Sequence, residues 1–218
     1  MIYTKEIIAQ FKRISTASIS DAIDQVVGKQ GFMDFEIKPR INDCRIVGPA
    51  VTVSEVATDE KLPPEHALDA IDSSPAGSVI VIGLEGSSKN VACWGGLMTA
   101  GSVARDLEGA VLDAAVRDVT EIKRDFNFPV FSRSVAPVTT VGRYKTEALN
   151  VPVECGGITV HPGDLIVGDQ DGIVVVPSKS VLDVLKVALE IEEREVEQTM
   201  LILSEKSLRK GIEKYNRI

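Results

Sequence analysis

Residues 109–122, GAVLDAAVRDVTEI, join an apolar run directly to a charged segment with a different periodicity. The first part, GAVLDAAV, is almost wholly apolar, which is typical of a strand buried on both faces of a sheet. The continuation from Asp118 to Phe126, DVTEIKRDF, has the spacing and charges of a surface helix. A buried strand that passes at once into a helix predicts an α/β protein with a parallel sheet.

The flanking sequence repeats this alternation of strand and helix. SVIVIGLE (78–85) is a second continuous β-branched run, and PVFSRSV (129–135) is a third, shorter strand. LMTAGSVARDLE (97–108) and HALDAIDSS (66–74) are predicted helices, and RIVGPAVTVSEV (45–56) is a predicted strand. Strands and helices that alternate over short loops predict a parallel α/β core in the middle of the chain.

The two ends of the chain do not follow this alternation of strands and helices. Near the N-terminus we predict a helix over residues 4–13 and a second helix that begins near Ser18 or Ser20. Residues 151–177 read as short strands joined by tight turns, among them a hairpin turn at DQDGI. A long amphipathic helix then begins at a cap, Ser178 or Ser180. We expect one domain over 1–218, with 178–218 as a helical extension that packs on a neighbouring subunit.

Composition and charge exclude several classes of protein. The chain has 218 residues and a net charge of −8, with 24 Lys+Arg against 32 Asp+Glu, which argues against a nucleic-acid partner. No stretch approaches the ~18 apolar residues of a membrane span. The three cysteines, Cys44, Cys93 and Cys155, have no metal-ligand spacing and are expected to be small buried hydrophobes in a cytoplasmic protein.

The residues that follow the apolar strand are the best candidates for chemistry. Arg117 and Asp118 stand where the strand ends, and ligands of α/β sheets bind at the carboxyl ends of strands. Gly95 and Gly96 precede a helix, where free N–H groups bind anions, although two glycines also suit a turn with positive φ. Asp118 and Glu121 have the spacing of a helix capping box, and the same spacing places both carboxylates on one helix face.

The order of motifs resembles that of a known family. WGGLMTAGSVARDLEGAVLDAAVRDVTEI, FPVFSR and GGITVHPGDLIVGDQDGIVVVP, with GPAVTV before them, are similar to the family of 4-hydroxy-4-methyl-2-oxoglutarate / 4-carboxy-4-hydroxy-2-oxoadipate aldolases and regulator of ribonuclease activity A (RraA-like) proteins. The resemblance covers roughly residues 15–210. It implies a layered β/β/α swivelling-domain fold with a long C-terminal helix, assembled as a homotrimer or homohexamer with sites at subunit interfaces.

The resemblance also implies roles for individual residues. Aldolases of the family have the pattern Asp-x20-Arg-Asp, and this chain has Gly96 at the first position, followed by Arg117 and Asp118. Asp118 would then hold Mg²⁺ or Mn²⁺, with Glu121 as a second ligand, and Arg117 would bind the substrate. The N–H groups of the glycine loop would hold the substrate carboxylate, and an acid from the segment Glu192–Glu195 of a neighbouring subunit is a candidate proton donor. The substrate-binding set is Gly95, Gly96, Leu97, Met98 and Arg117, and the catalytic pair is Arg117 and Asp118.

Three functions follow from this resemblance. The first is a divalent-metal-dependent lyase, a class II aldolase or oxaloacetate decarboxylase, that cleaves a C–C bond of a small 2-oxo acid to release pyruvate. The second is a non-catalytic regulator that binds ribonuclease E. The third is a metal-dependent enzyme of the same fold that acts on a sugar acid.

Overall fold

The computed structural model of the protein describes residues 3–213. The helices are α1 Lys5–Phe11, α2 Thr16–Val26, α3 Glu65–Ser73, α4 Gly96–Ala104, α5 Val119–Asp125, α6 Val181–Glu205 and α7 Leu208–Glu213. The strands are β1 Lys38–Pro39, β2 Ile46–Ala57, β3 Val79–Leu84, β4 Ala92–Trp94, β5 Gly109–Val116, β6 Val130–Val135, β7 Tyr144–Leu149, β8 Val153–Cys155, β9 Ile158–Val160, β10 Leu165–Asp169 and β11 Gly172–Val176.

The centre of the sheet is parallel, as the alternating pattern predicts. Its order is β6-β5-β3-β2, and β4 adds a further parallel partner at the carboxyl end of β5. Every residue of β3 and β5 is buried. Strands covered on both faces are apolar throughout, which explains the uninterrupted runs in the sequence. The parallel order brings the carboxyl ends of these strands to one edge.

Antiparallel strands extend this sheet until it nearly closes. β2 pairs with β10 up to Pro49 and with β3 from Ala50 onward, so one long strand joins the two halves. The segment 31–33 bonds to β11, through Met33 N to Ile173 O at 2.9 Å, and β1 pairs with β6. The segment from 31 to 39 therefore bridges the two sides of the sheet.

Helices cover the sheet in two groups. α3, α4 and α5 lie over the parallel strands, where Ile71 and Ile122 enter a core with Ile80 and Leu112. α1, α2 and α6 pack against β10 and β11 in a second core. The mixed α/β layers and the long C-terminal helix confirm the predicted fold class. The candidate site lies on the side covered by the first group.

Three local predictions are corrected by the structure. α2 begins at Thr16, and its cap is Ser15, whose hydroxyl accepts the Ser18 N–H at 3.0 Å, so neither Ser18 nor Ser20 caps it. Cys44 is exposed, whereas Cys93 and Cys155 are buried as expected. The side chain of Ser178 or Ser180 makes no capping bond to α6.

The C-terminal helix packs in part on its own chain. Val184, Ala188 and Ile191 of α6 are buried in the core that α2 shares. Lys206, with φ 50°, ends α6 before α7 begins. The expected contact of this helix with a neighbouring subunit and the single domain over 1–218 stay predictions, and residues 1–2 and 214–218 lie outside the described residues. Between residues 3 and 213, no helix has both the length and the apolar character needed to cross a bilayer.

Candidate active site at the carboxyl edge of the parallel strands

Asp118 leaves β5 in a left-handed backbone conformation. Its φ is 58° and its ψ 31°, a region that few residues other than Gly, Asn and Asp adopt. The side chain makes no capping bond to α5. Instead its Oδ2 accepts the N–H of Gly96 at 2.9 Å. The predicted capping box is therefore wrong, because the carboxylate turns away from its own helix towards the start of α4.

The two glycines of the loop meet Arg117 and Asp118 at close range. A Cβ on Gly95 would lie 2.7 Å from Asp118 Oδ2 and 3.1 Å from Arg117 Nε. At Gly96 the nearest atom would be Asp118 Oδ2, at 3.6 Å, an ordinary contact. Neither glycine has a positive φ, so the alternative of a strained turn is wrong. Gly95 is required because the Arg117–Asp118 pair approaches its backbone.

A buried hydrogen-bond network holds this loop in place. The indole Nε1–H of Trp94 donates to Thr99 Oγ1 at 2.9 Å, and the Thr99 hydroxyl donates to Gly95 O at 3.0 Å. The backbone N–H of Arg117 donates to Trp94 O at 3.0 Å. Trp94 also stacks on Phe128, with ring centroids 6.3 Å apart. β4 and the end of β5 are thus joined by both backbone and side-chain contacts.

A pocket of about 250 Å³ opens at this place. It is lined by residues 92–98, by Arg117 and Asp118, and by Thr139, Thr140 and Val141, together with Pro64 and Leu68. Six of the seven predicted site residues thus meet in one pocket: Gly95, Gly96, Leu97, Met98, Arg117 and Asp118. Within residues 3–213, the seventh, Glu121, does not line it.

Sequence reasoning missed the outer wall of the pocket. Thr139, Thr140 and Val141 reach it because Ala92 pairs with Thr139 and donates its N–H to Val138 O at 2.7 Å. This contact joins segments more than forty residues apart, and no local pattern announces it. β4 was missed as well, because residues 86–96, GSSKNVACWGG, read as a glycine-rich connection rather than a strand.

The start of α4 presents N–H groups to the pocket. The backbone N–H of Thr99 donates to Gly95 O at 3.1 Å, and this is the first hydrogen bond of the helix. The N–H groups of Leu97 and Met98 precede it and are left for a ligand by helix geometry. The N–H of Gly96 is already bound to Asp118. The Arg117 guanidinium adds positive charge, with Nε 3.7 Å from Asp118 Oδ2 and 41% of the side chain exposed.

Other ionisable groups at this end of the sheet are buried. Both carboxylate oxygens of Glu55 on β2 are buried without a hydrogen-bond partner among residues 3–213, and burial raises the pKa of this group to about 8. The pKa of the Cys93 thiol is raised by its burial and then by the charge of Glu55. Asp113 points to the other side of β5, where its Oδ1 accepts from Arg133 Nε at 2.5 Å.

The donor set in the pocket fits a hard divalent cation only sparsely. Between residues 3 and 213 no group of three or more His, Cys, Asp or Glu side chains is arranged to hold a metal ion. Among the described residues that line the pocket, Asp118 is the one with a carboxylate. Mg²⁺ keeps several waters and is often bound by one or two carboxylates together with substrate oxygens, so Asp118 suits it as a single anchor.

Two other regions are less suited to a small anionic substrate. A larger pocket of about 550 Å³ is lined by Phe32, Phe35 and residues 171–174, among others. In the part of the chain that the structure describes, no Lys or Arg lines it. Glu192, in the segment considered for a proton donor, has its Oε1 bound to the Ser15 N–H of the same chain at 2.9 Å. DQDGI forms the predicted hairpin turn between β10 and β11.

Comparisons with known proteins agree with the fold and the motif order. The family model RraA-like, described as Aldolase/RraA, matches residues 16–175. A protein of Halalkalibacterium halodurans named "Putative 4-hydroxy-4-methyl-2-oxoglutarate aldolase" is 37% identical over 186 residues, which cover 84% of this chain and 82% of that protein.

Solved structures of the same shape come from two other bacteria. An uncharacterized protein from Pseudomonas syringae pv. tomato has a TM-score of 0.86 and 31% identity, over 98% of this chain and 95% of that one. RraAS2 of Streptomyces coelicolor, described as an unusual member of the RNase ES inhibitor RraA protein family, has a TM-score of 0.82 over 90% of this chain and 98% of that one. Its identity is 24%, so this likeness concerns the fold.

Proposed function

Because the chain belongs to the RraA-like family of aldolases and RraA proteins, we propose that it is a lyase that cleaves a C–C bond of a small 2-oxo acid and releases pyruvate. The observation that carries this proposal is the meeting of the α4 N-terminus, Arg117 and Asp118 in one pocket. Its volume of about 250 Å³ lies below the ~300–1,000 Å³ of pockets for drug-sized ligands. A small metabolite is therefore the preferred occupant.

The substrate carboxylate binds at the start of α4. The N–H groups of Leu97 and Met98 point along the helix axis towards the pocket, and the positive end of the helix dipole favours an anion there. The N–H of Gly96 does not bind the substrate directly but holds the Asp118 carboxylate in place. Gly95 contributes by leaving room for Arg117 and Asp118.

Arg117 binds the keto oxygen of the substrate or a second carboxylate. A guanidinium is always charged and offers its donors in a planar fork, which suits an oxygen that becomes negative during the reaction. Retro-aldol cleavage and decarboxylation both leave the electron pair of the broken bond on an enolate. The same pocket therefore suits 4-hydroxy-4-methyl-2-oxoglutarate and oxaloacetate.

Asp118 is the residue that we propose to hold Mg²⁺ or Mn²⁺. Within residues 3–213 Glu121 lies outside the pocket lining, so its role as a second ligand stays an expectation from the resemblance. When bound, such an ion supplies positive charge that stabilises an enolate. Asp118 is prepared for this role because Gly96 fixes its side chain while 42% of it stays exposed.

Oxaloacetate decarboxylation with Mg²⁺, and with EDTA in its place, tests this function. In wild type we expect turnover that EDTA abolishes, and in Asp118→Ala a loss of at least about 100-fold in kcat/KM, since the anchor of the charge is gone. Arg124→Ala, on the exposed side of α5, is the control and should keep wild-type turnover. Turnover that neither EDTA nor Asp118→Ala reduces would exclude the metal-dependent reaction. A parallel panel of sugar acids tests the alternative substrate class.

A regulator of the RraA type is the second candidate. The family description includes RraA, and Gly96 replaces the carboxylate of the aldolase pattern. The net charge of −8 suits a basic protein partner. A regulator would bind ribonuclease E in a pull-down and would do so equally well as Asp118→Ala. Failure of the wild type to bind would count against it.

We also propose that the protein is a homotrimer or homohexamer. Val196, Met200 and Leu203 on the second half of α6 are 53%, 66% and 71% exposed, and Leu97 at the pocket rim is 90% exposed. Large apolar side chains that lie open to water in this way favour contact with another subunit. Light scattering of the purified protein measures the assembly directly.

A further inference from the structure

Thr99, near the start of α4, is buried behind the candidate active site. The residue is 0% exposed, whereas Gly96 and Asp118 on the other side of the loop line the pocket. The same helix buries a second hydroxyl residue, Ser102, to the same degree. Because a buried hydroxyl group needs a hydrogen-bond partner, the partners of these two side chains indicate what each of them does.

Thr99 fixes the carbonyl group of Gly95 with two donors. Its backbone N–H and its hydroxyl both donate to Gly95 O, at 3.1 and 3.0 Å. Its Oγ1 also accepts the indole Nε1–H of Trp94 at 2.9 Å, so the hydroxyl proton is left for Gly95 O. A hydroxyl that bonds to the carbonyl four residues earlier slightly destabilises a helix, so this bond adds little to the stability of α4 itself.

The carbonyl of Gly95 and the N–H of Gly96 belong to one peptide group. This group is planar and trans, so its C=O and its N–H point in opposite directions and turn together. Thr99 holds the C=O end, and the N–H end donates to Asp118 Oδ2 at 2.9 Å. A rotation of the peptide would weaken the bonds at both ends. The hydroxyl of Thr99 is therefore linked through one rigid group to the carboxylate of Asp118.

The orientation of the Asp118 carboxylate depends on this bond. The side chain makes no capping bond to α5, and 42% of it is exposed. Arg117 Nε lies 3.7 Å from Oδ2, which is longer than a hydrogen bond. Within residues 3–213 the N–H of Gly96 is thus the one hydrogen-bond donor to the carboxylate.

We propose that Thr99 is a positioning residue of the active site, which orients the Asp118 carboxylate for a divalent cation through the Gly95–Gly96 peptide. This inference rests on the proposed function, in which Asp118 holds Mg²⁺ or Mn²⁺. Groups that orient a metal ligand by hydrogen bonds contribute about 10–100-fold to metal affinity or activity. Trp94 supports the arrangement, because its indole stacks on Phe128 and directs the Thr99 hydroxyl towards Gly95.

Binding of Mn²⁺, measured by electron paramagnetic resonance, tests this role without substrate. Thr99→Val removes the hydroxyl, and we expect its affinity for Mn²⁺ to fall by about tenfold. Thr99→Ser retains the hydroxyl and should recover most of the affinity.

Ser102→Ala is the matched control for the loss of a hydroxyl. The Ser102 hydroxyl is equally buried and also donates to the carbonyl four residues earlier, Met98 O, at 2.9 Å. The N–H of that peptide belongs to Thr99 and is bonded to Gly95 O rather than to Asp118. Ser102→Ala should therefore bind Mn²⁺ as the wild type does.

Exchange of the Gly96 amide proton with water reports on the same contact and needs neither metal nor substrate. NMR of protein labelled with ¹⁵N-glycine detects this proton, and the signal that is missing from Gly96→Ala identifies it. We expect Asp118→Ala and Thr99→Val each to accelerate the exchange by about fivefold, the contribution of one net hydrogen bond. Thr99→Ser and Ser102→Ala should exchange at the wild-type rate.

The Mg²⁺ dependence of oxaloacetate decarboxylation separates a positioning role from a general loss of structure. In Thr99→Val the Mg²⁺ concentration at half-maximal rate should rise by about tenfold, and saturating Mg²⁺ should restore most of the rate because Asp118 is still present. Asp118→Ala should not recover at any Mg²⁺ concentration. If Thr99→Val does not fold, Thr99→Ala replaces it, because alanine favours a helix and also lacks the hydroxyl.

The outcomes keep the two proposals apart. If the wild type binds Mn²⁺ and Thr99→Val binds it with the same affinity, the role of Thr99 is overturned and the lyase function stands. Equal losses in Thr99→Val and Ser102→Ala also overturn it. A wild type with neither Mn²⁺ binding nor turnover overturns the lyase function. The link between Thr99 and Asp118 is then judged by the exchange of the Gly96 amide alone, and equal rates in wild type and Thr99→Val overturn it.

Discussion

Asp118 has a conformation that its local sequence does not indicate. The spacing Asp-x-x-Glu is that of a helix cap, and a capping residue needs extended backbone angles so that its side chain can bond to the next turn. Asp118 instead has φ 58°, and its carboxylate binds Gly96. Unusual backbone angles of this kind cluster at functional sites, where surrounding contacts enforce them. Here the enforcing contacts come from β4 and α4.

Gly95→Ala is expected to disable the site while the fold survives. The added methyl group would lie 2.7 Å from Asp118 Oδ2, so the carboxylate must move away from Gly96. We expect a loss of activity of at least about tenfold, since misplacing a reactive group by 1 Å is costly. Decarboxylase kinetics measures the loss of activity, and thermal unfolding tests whether the fold is retained.

Gly96→Ala is the matched control for this change. Its methyl group would meet Asp118 at 3.6 Å, an ordinary contact, and alanine favours the helix that begins there. Activity close to that of the wild type is expected. Equal losses in the two variants would contradict the close approach described for Gly95.

Gly96→Asp is expected to strengthen metal binding. The change restores the Asp-x20-Arg-Asp spacing and places a second carboxylate beside Asp118, at a helix N-terminus that tolerates negative charge. We expect the affinity for Mn²⁺ to rise by about tenfold, the effect of roughly 1.4 kcal/mol. Titration with Mn²⁺, followed by electron paramagnetic resonance, measures this affinity. Gly96→Asn has the same shape without the charge, and an equal gain in that variant would refute the argument.

The strands around the site are joined by ionic as well as apolar contacts. Arg133 of β6 bonds to Asp113 of β5 and also reaches Asp34 and Glu36 of the segment before β1, at 3.2 and 3.0 Å. The side chains of Arg133 and Asp113 are each 8% exposed. The apolar run of β5 therefore contains one buried acidic residue, Asp113, whose charge is neutralised by Arg133 of the later strand β6.

Arg133→Met is expected to destabilise the protein by about 3–5 kcal/mol. The loss arises because Asp113 stays buried without its partner, and the double variant Arg133→Met/Asp113→Leu should recover most of it. Urea unfolding measures both. Arg124→Met breaks an ion pair whose arginine is 66% exposed and should leave the urea midpoint close to that of the wild type. A similar loss in both arginine variants would argue against a buried pair at Arg133.

At the scale of the whole molecule, Glu55 links stability to pH. Its pKa is 4.5 in the unfolded chain and about 8 in the folded protein, so between these values the unfolded state binds fewer protons than the folded one. This contribution to stability is complete below about pH 4.5 and is lost as the pH rises through 8. At ~1.4 kcal/mol for each pKa unit, the loss approaches about 5 kcal/mol.

Glu55→Gln should remove this dependence. We expect the free energy of unfolding of the variant, measured in urea between pH 5 and 9, to fall much less than that of the wild type. The comparison is made between the two proteins because other buried acids, such as Asp113, also titrate. Parallel curves for wild type and variant would show that Glu55 is not buried in its neutral form.

The sequence alone determined the features that depend on local composition and order. Apolar β-branched runs predicted the buried parallel strands, because a strand covered on both faces has no polar side to show. Because Arg117 and Asp118 directly follow such a run, the sequence predicted that they lie at the edge of the sheet where the parallel strands have their carboxyl ends. The motif order indicated the family, and with it the layered β/β/α fold and the long C-terminal helix.

The tertiary structure alone decided the features that depend on contacts between distant segments. Asp118 turns to Gly96 because β4 pairs with the end of β5, and the outer pocket wall forms because Ala92 pairs with Thr139. Glu55 reads as an ordinary charged residue of a half-exposed strand until β7, β3 and β4 enclose it. The burial of a residue depends on the elements that pack around it. The raised pKa of Glu55 and the conformation of Asp118 therefore cannot be predicted from the neighbouring residues in the sequence.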